Sequence, residues 1–222
     1  MVEDQLSEGK LRRFWNLPFL DKLDELAIQY YKVKGICLYR VVFKQFGNGS
    51  YIRRPLCIRN SKFISIGEKV SVCNGVRLEV IQDRKGRIPQ LTIGRGTNIE
   101  QNVHIVCHSR VQIGCNVSIT GHCCIVDVTH PFAEVHDPVK IGARMQHDDS
   151  FVEIGDGSFI GFGAVILPNV RLGRYVVVGS NSVVARDVPD YTVVAGIPAR
   201  IIRQYDHVQG AWVKMEPEFE RR

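Results

Sequence analysis

The sequence contains little of what marks a secreted, membrane-spanning or fibrous protein. Its seven cysteines form no CxxC pair, which argues against a disulfide scaffold and indicates a compartment where thiols stay reduced. The N-terminus MVEDQLSEGK starts acidic and lacks an apolar signal core. No stretch reaches the roughly 18 consecutive apolar residues of a membrane span. With 45% hydrophobic and 23% charged residues, disorder and collagen are excluded, and we expect a cytoplasmic globular protein.

Positive charge is concentrated near the N-terminus. The formal net charge of the 222 residues is +6, and the segment from Lys10 to Arg59 holds eleven lysines and arginines against three acidic residues. With Phe14, Trp15 and Phe19 interleaved, this basic segment is able to rest on an anionic membrane at the inner face of the cell, although an ordinary solvated face fits equally well. We expect no nucleic-acid partner.

An aliphatic residue recurs at every sixth position over most of the chain, often directly followed by glycine. A period of six fits neither an α-helix at 3.6 residues nor a lone strand at 2, so each repeat must be a short strand plus a corner. Three such sides close a triangle, and stacked triangles about 4.8 Å apart form a parallel β-helix. The five triplets are Ile66, Val72 and Leu78; Ile93, Ile99 and Ile105; Ile113, Ile119 and Ile125; Ile154, Ile160 and Ile166; Leu172, Val178 and Val184.

Residues around the repeat predict its corners and its ends. Asn116, Asn169 and Asn181 suit corners that need a left-handed backbone. Pro189 and Pro198 are expected to stop further strand pairing after the last triplet.

Breaks in the repeat divide the chain. Residues 1–55 form a helical and basic N-terminal segment, with an amphipathic helix predicted over about residues 19–31, whereas residues 36–46 fit a helix or a strand. The β-helix is predicted over 56–204, and the interruption at 126–153 is expected to project as a functional loop. The conformation of the C-terminal tail, 205–222, is left open.

Several motifs resemble the left-handed β-helix, hexapeptide-repeat acyltransferases, and the galactoside and maltose O-acetyltransferase branch in particular. These are TNIEQNVHIV, IVDVTHPF, IGDGSFIGFGAVILPNVRLG and VVGSNSVVARDVPDYTVVAGIPARIIR, and the resemblance covers about Ile58 to Arg203. It implies a left-handed prism with a short helical N-terminal segment, a homotrimer, and acetyl-CoA as co-substrate in a groove between neighbouring prisms.

The resemblance also assigns site residues. His130 of the THP motif aligns with the general base, and the backbone amide of Phe162 with the donor to the developing oxyanion. At the acceptor site the positions of an asparagine and an aspartate in the galactoside branch hold Glu100 and His108, which leaves the acceptor identity open; Asn102 and Asp127 are further candidates. The residues expected to bind the co-substrate are Phe159, Ser180, Ala185, Arg200 and Arg203.

The resemblance implies an acetyl-CoA-dependent O-acetyltransferase that acts on a sugar or glycan intermediate, and direct transfer is expected because no nucleophilic Ser or Cys constellation indicates an acyl-enzyme. An N-acetyltransferase acting on an amino-sugar nucleotide, or one inactivating an antibiotic, fits the same prism and base. Among other classes we weighed a non-catalytic hexapeptide-repeat scaffold and a γ-carbonic-anhydrase-like metalloprotein, the latter because of His104, His108, His122 and nearby cysteines. Since the spacing of these histidines does not match that family, we expect no metal.

Overall fold

The structure, a computed structural model, describes residues 14–82, 88–145 and 149–215. In these residues successive short strands pass in turn from sheet I to sheet II to sheet III, and each coil adds one parallel strand to each sheet. Sheet I contains β1 (Gln45–Phe46), β4 (Ile64–Ile66), β7 (Gln90–Ile93), β10 (Arg110–Ile113), β13 (Phe151–Ile154) and β16 (Val170–Leu172). Sheet II contains β2 (Tyr51–Ile52), β5 (Ser71–Val72), β8 (Asn98–Ile99), β11 (Ser118–Ile119), β14 (Phe159–Ile160), β17 (Val177–Val178), β19 (Thr192–Gly196), β20 (Ala199–Asp206) and β21 (Ala211–Lys214). Sheet III contains β3 (Cys57–Arg59), β6 (Arg77–Val80), β9 (His104–Cys107), β12 (Cys124–Val126), β15 (Val165–Ile166) and β18 (Val183–Val184).

The repeated aliphatic residues form the core of this parallel β-helix. Ile99 pairs in register with Val72 in the preceding coil and with Ile119 in the following coil, and all three side chains are fully buried. Burying a side chain of this kind contributes about 1.5–3 kcal/mol. The aligned columns therefore stabilise every coil through its neighbours. We name the corners by the sheets they join, as edges I–II, II–III and III–I.

The solenoid has one coil more than the repeat predicts and begins at residue 45 instead of residue 56. Phe46, Ile52 and Ile58 keep the spacing of six and pair in register with the inward residues of the second coil. An aromatic residue at the first position hides this triplet from a search for aliphatic repeats. Phe46 also packs against Tyr39 and Phe43, so the aromatic side chain closes the N-terminal end of the core.

Glycine and asparagine close the corners for different reasons. A Cβ atom added at Gly94 would lie 2.5 Å from the backbone of Gly114 in the next coil, so glycine is required there for close approach. Asn116, Asn169 and Asn181 adopt φ angles of 54°, 61° and 55°. These values confirm the left-handed corners predicted at the three asparagines.

The predicted N-terminal helix is present and is one turn longer than expected. Helix α1 (Phe19–Lys34) continues into a π-helical turn (Gly35–Tyr39) and a short helix α2 (Arg40–Val42), which precede β1. Residues 14 and 15 are also helical, and two 3₁₀ turns span Ser61–Phe63 and Ile141–Ala143. None of the described helices is both long and apolar enough to cross a bilayer.

Strand pairing continues past both prolines that were predicted to end it. After Pro189, β19 pairs parallel with β17, and after Pro198, β20 turns back antiparallel onto β19. Both prolines lie between strands, so neither removes a hydrogen-bond donor from a ladder. Strand β21 pairs antiparallel with β20, so the described part of the tail is a hairpin. Residues 1–13 and 216–222 of the two predicted terminal segments lie outside the described residues.

Candidate active site

The loop with the predicted general base projects from edge III–I, between β12 and β13. His130 is exposed, and its Nδ1 lies 2.8 Å from the carbonyl oxygen of Arg144 on the far side of the loop. Because a carbonyl oxygen only accepts hydrogen bonds, Nδ1 carries the hydrogen in this contact. The Nε2 atom of a neutral His130 then keeps its lone pair and is able to accept a proton. Residues 146–148 of this loop lie outside the described part.

Asp127 and His108, two of the predicted acceptor contacts, form a packed turn at the base of the loop. Asp127 is fully buried, and its carboxylate accepts the N–H groups of His108, Ser109 and Arg110 at 2.6, 2.8 and 2.7 Å. Burial raises the pKa of Asp127, and these hydrogen bonds partly oppose the rise. His108 is only 3% exposed. In this position Asp127 sets the path of the chain at edge III–I.

The other two predicted acceptor contacts lie on a different edge of the prism. Glu100 and Asn102 are exposed at edge II–III, where Glu100 Oε2 accepts the N–H of Gly121 at 3.2 Å. The Asn102 Nδ2 and His122 Nε2 atoms are 3.2 Å apart. The His122 ring packs on the ring of Phe162, with 5.0 Å between the centroids. This edge therefore presents a polar surface beside the corner that holds Phe162.

The backbone N–H of Phe162, the predicted oxyanion donor, lies between two N–H groups that are hydrogen-bonded. The adjacent N–H groups of Gly161 and Gly163 donate to Val178 and Gly121 at 2.8 and 3.0 Å. By contrast, no group in the described residues accepts the N–H of Phe162. A donor fixed at a corner of a stacked solenoid needs no rearrangement to meet developing negative charge.

Three of the predicted co-substrate contacts share the outer face of sheet II. Strand register places Phe159, Val177, Val193 and Arg203 in one row across four strands. Arg200 pairs with Ala195, two residues beyond Val193 on β19. Residues two apart on a strand face the same side, so both arginines share one face. Arg200 and Arg203 are three residues apart and would face opposite sides of a regular strand. The β-bulge opposite Val193 and Val194 adds one residue to β20 and brings both arginines to the same face.

The remaining two co-substrate candidates lie on separate edges. Ser180 is exposed at edge II–III in the coil after Phe162, whose carbonyl accepts the N–H of Asn181 at 2.7 Å. Ala185 follows β18 and is exposed at edge III–I.

The predicted site residues therefore form two groups within the chain. His130, His108, Asp127 and Ala185 belong to edge III–I, and the others to sheet II or edge II–III. The width of sheet III separates them, about 15–20 Å for a six-residue side at roughly 3.3 Å per residue.

Burial shifts the pKa of Cys107, Cys123 and His104, which the sequence offered as candidate metal ligands. Burial raises the pKa of the thiols of Cys107 and Cys123, which disfavours the nucleophilic thiolate. For His104, burial and then the Arg77 guanidinium lower the pKa. Across residues 14–82, 88–145 and 149–215, no three His, Cys, Asp or Glu side chains are grouped closely enough to hold a metal ion.

Known proteins match this chain over the same solenoid. The family profile "Bacterial transferase hexapeptide (six repeats)" matches residues 151–186. The chain is 34% identical to the putative lipopolysaccharide biosynthesis O-acetyl transferase WbbJ of Escherichia coli K12 over 193 residues. This alignment covers 82% of this chain and 91% of WbbJ. The chain belongs to the hexapeptide-repeat acetyltransferases.

Two other hexapeptide-repeat acetyltransferases match this chain, one over a shorter segment and one at lower sequence identity. Galactoside O-acetyltransferase of Escherichia coli K12 is 36% identical over 113 residues, 50% of this chain and 53% of that protein. The acetyltransferase VCA0836 of Vibrio cholerae O1 biovar eltor, solved with acetyl coenzyme A, has a TM-score of 0.56 and 25% identity over 78% of each chain. The predicted left-handed β-helix, the acetyltransferase class and the use of acetyl-CoA are thereby confirmed.

Two residues that contact predicted site residues were not themselves predicted from the sequence. Arg144 contacts His130 from fourteen positions away, and its signal was an arginine within the projecting loop. His122 was considered only as a metal ligand. Its signal was its place at a corner, where it adopts a φ of 62° like the asparagines of other corners.

Proposed function

We propose that this acetyltransferase transfers the acetyl group of acetyl-CoA to a hydroxyl of a sugar or glycan intermediate, with His130 as general base. The observation that carries the proposal is the 2.8 Å contact between His130 Nδ1 and the Arg144 carbonyl, because it leaves Nε2 free to accept a proton. A sugar hydroxyl is a poor nucleophile at neutral pH and requires such a base. Similarity to WbbJ, named for lipopolysaccharide biosynthesis, supports a glycan acceptor.

His130 acts on the proton of the acceptor. Acetyl-CoA supplies an acetyl group activated as a thioester. Nε2 of His130 takes the hydroxyl proton as the acceptor oxygen bonds to the acetyl carbon, and the imidazolium returns that proton to sulfur as the C–S bond breaks. The products are an acetyl ester and the CoA thiol. The Phe162 N–H donates to the carbonyl oxygen as charge develops there, a contact of a kind that is worth about 2.7–4 kcal/mol.

The outer face of sheet II carries three of the five proposed contacts to the co-substrate. Arg200 and Arg203 project from one face and offer forked donors to phosphates. Phe159, 44% exposed, lies in the row of Arg203 and offers an apolar contact. Ser180 and Ala185 are proposed for the pantetheine chain, the latter from edge III–I of a neighbouring protomer.

A homotrimer would bring the two groups of residues together. In a three-fold assembly each prism places one edge beside the preceding protomer and another beside the following one. The loop of one protomer is then able to set His130 against edge II–III of its neighbour, where the Phe162 N–H lies. The separation of the two groups by sheet III supports this arrangement.

For the acceptor we propose contacts from the exposed side chains of Glu100 and Asn102, next to Phe162. A carboxylate and an amide offer acceptors and donors to sugar hydroxyls. The predicted contacts from His108 and Asp127 would require their buried turn to open. We therefore place direct acceptor recognition first at edge II–III.

The oxyanion role of Phe162 is tested by replacing the amide itself. Phe162→Pro removes the N–H, and proline fits such a corner because Pro168 precedes the left-handed Asn169 in an equivalent turn. We expect kcat to fall about 10²- to 10³-fold, measured as thiol release from acetyl-CoA. The matched variant Phe162→Ala keeps the N–H and should lose far less.

His130→Ala should lower kcat at least about 100-fold with little change in affinity for CoA. Activity within a few-fold of the wild type would remove the general-base assignment. An acceptor panel of sugars, nucleotide sugars, amino sugars and aminoglycosides identifies the substrate. Exclusive transfer to amines would replace the O-acetyltransferase proposal by its N-acetyltransferase alternative.

We also propose that the N-terminal segment contacts an anionic membrane at the cytoplasmic face. One side of α1 forms an apolar stripe of Phe19, Leu23, Leu26, Tyr30 and Val33, which are 72, 47, 55, 63 and 58% exposed. Trp15 is also exposed, and Lys22 Nζ lies 5.7 Å from its ring. Exposed apolar side chains beside basic residues are typical of helices that lie in a membrane interface.

A further inference from the structure

We propose that Arg144 is a positioning residue that holds the projecting loop in the shape in which His130 functions as a base. This inference rests on the proposed role of His130. Arg144 contacts the loop through its side chain and holds the imidazole through its main chain. It touches neither the acceptor nor the acetyl group in the proposed reaction.

The Arg144 guanidinium forms hydrogen bonds to three backbone carbonyls of the loop. Its Nε, Nη1 and Nη2 atoms donate to the carbonyl oxygens of Val139, Glu134 and Asp137 at 2.7, 2.8 and 2.9 Å. The Asp137 carboxylate lies 3.3 Å from Nε and balances the charge. Although the loop is exposed, the Arg144 side chain retains only 11% of its accessibility. Three carbonyls on one planar fork fix residues 134–139 relative to residue 144.

The same residue presents its carbonyl to the imidazole. His130 Nδ1 donates to that oxygen at 2.8 Å, and the backbone of Arg144 is anchored in turn by its N–H, which donates to Ile141 at 2.9 Å. The tautomer of a neutral histidine is set by the hydrogen bond made by one ring nitrogen. Holding this carbonyl in place therefore keeps the proton on Nδ1 and the lone pair on Nε2.

Loss of the guanidinium should release both the loop and the imidazole. For Arg144→Ala we expect kcat to fall about 10- to 100-fold, as small misplacements of catalytic groups do. The KM for acetyl-CoA should stay within about twofold of wild type, because Arg144 contacts His130, Val139, Glu134 and Asp137 within the loop and none of the proposed co-substrate residues. Arg144→Lys keeps the charge without the planar fork and should recover only part of the loss.

Two readouts separate positioning from general stability. Added guanidinium ion should restore part of the kcat of Arg144→Ala and leave Arg144→Lys unchanged. In ¹⁵N-histidine-labelled protein, His130 should be protonated at Nδ1 in the wild type, and Arg144→Ala should shift the population towards the Nε2–H form. The matched control is Arg174→Ala, which breaks an arginine–carboxylate pair with Asp190 outside the loop and should change neither readout.

The outcomes distinguish this inference from the proposed function. If His130→Ala is inactive while Arg144→Ala keeps wild-type kcat and the Nδ1–H tautomer, the positioning role is wrong and the base assignment stands. If His130→Ala remains active, the base assignment itself fails. Should Arg144→Ala not fold, Arg144→Lys carries the test, and an unchanged kcat and tautomer in that variant would overturn the inference.

Discussion

At the scale of single residues, three buried hydroxyls at edge I–II, one in every second coil, each join that coil to the next. Thr97 Oγ1 donates to the carbonyl of Gly114 at 2.8 Å and accepts the N–H of Val117 at 3.1 Å. Ser50 and Ser158 make the same pair of contacts to their next coils. Each hydroxyl satisfies two backbone groups at a corner where strand pairing has ended.

Replacing Thr97 by valine should destabilise the solenoid although the shape of the side chain is kept. Thr97 is fully buried, so Thr97→Val leaves the Gly114 carbonyl and the Val117 N–H unpaired. Each buried group left without a partner costs about 1–3 kcal/mol in free energy of unfolding. Thr97→Ser keeps both hydrogen bonds and should cost only about 0.5–1.5 kcal/mol for the lost methyl group. Denaturant titration followed by circular dichroism measures both values, and an equal loss in the two variants would contradict the role of the hydroxyl.

The sequence predicted the inward aliphatic residues but could not predict these hydroxyls. A period of six identifies the buried column because hydrophobic burial depends only on which way a residue points. Thr97, Ser50 and Ser158 occupy a position that is valine in the neighbouring coils. Polarity at this position therefore does not recur every six residues, and the repeat does not identify the hydroxyls. Their burial depends on backbone groups left unpaired between coils, which only the stacked structure reveals. The contact from His130 to Arg144 was hidden for a similar reason, since it depends on the path of an irregular loop.

At the scale of elements, α1 is fixed to the prism through one side and leaves its apolar side uncovered. Asp24 accepts from Arg53 at 2.8 Å, and the Tyr31 hydroxyl accepts from Arg54 at 3.3 Å. Hydrogen bonding to Arg53 is the main cause that lowers the pKa of Asp24, so the pair is charged at neutral pH. The apolar stripe follows a spacing of four and three residues on a different side of the helix. A stripe held away from the prism is available to a surface outside it.

The proposed membrane contact predicts that the protein floats with anionic vesicles and not with zwitterionic ones. Binding should weaken as salt is raised, because screening reduces the attraction of basic residues to the lipid surface. Leu26→Glu places a charge in the apolar stripe and should abolish flotation. Leu56→Glu is the matched control, since Leu56 is 75% exposed and outside the helix. If the wild type does not float in low salt, the stripe is not a membrane contact, and sedimentation of Leu26→Glu then shows whether another copy of the chain covers it.

The elements outside the repeat were the hardest to predict from the sequence. The spacing of apolar residues predicted α1 because a helix leaves a period of its own. The β20–β21 hairpin was not predicted, because its residues are mostly exposed and carry no alternation of buried and exposed side chains. The two prolines were misread because their effect depends on whether they fall within a strand or between strands.

At the scale of the whole molecule, the proposed catalytic residues are divided between two edges, and this predicts how a trimer would behave. His130 belongs to edge III–I, whereas the Phe162 N–H belongs to edge II–III. If one active site takes His130 from one protomer and Phe162 from the next, a single protomer has no complete site. The roles of the two residues can then be tested separately, because one trimer can combine protomers that carry different substitutions.

Mixed trimers should be far more active than either parent. His130→Ala and Phe162→Pro are each expected to keep about 1% or less of the wild-type kcat, but in a random 1:1 mixture about one site in four combines an intact His130 with an intact Phe162. Co-expression with two different affinity tags, followed by purification through both tags, isolates the mixed assemblies for thiol-release assays. Mixing the two proteins after assembly, without subunit exchange, is the control and should show no more activity than the parents. If co-expressed trimers are no more active than their parents, both residues act within one protomer and the shared site is wrong.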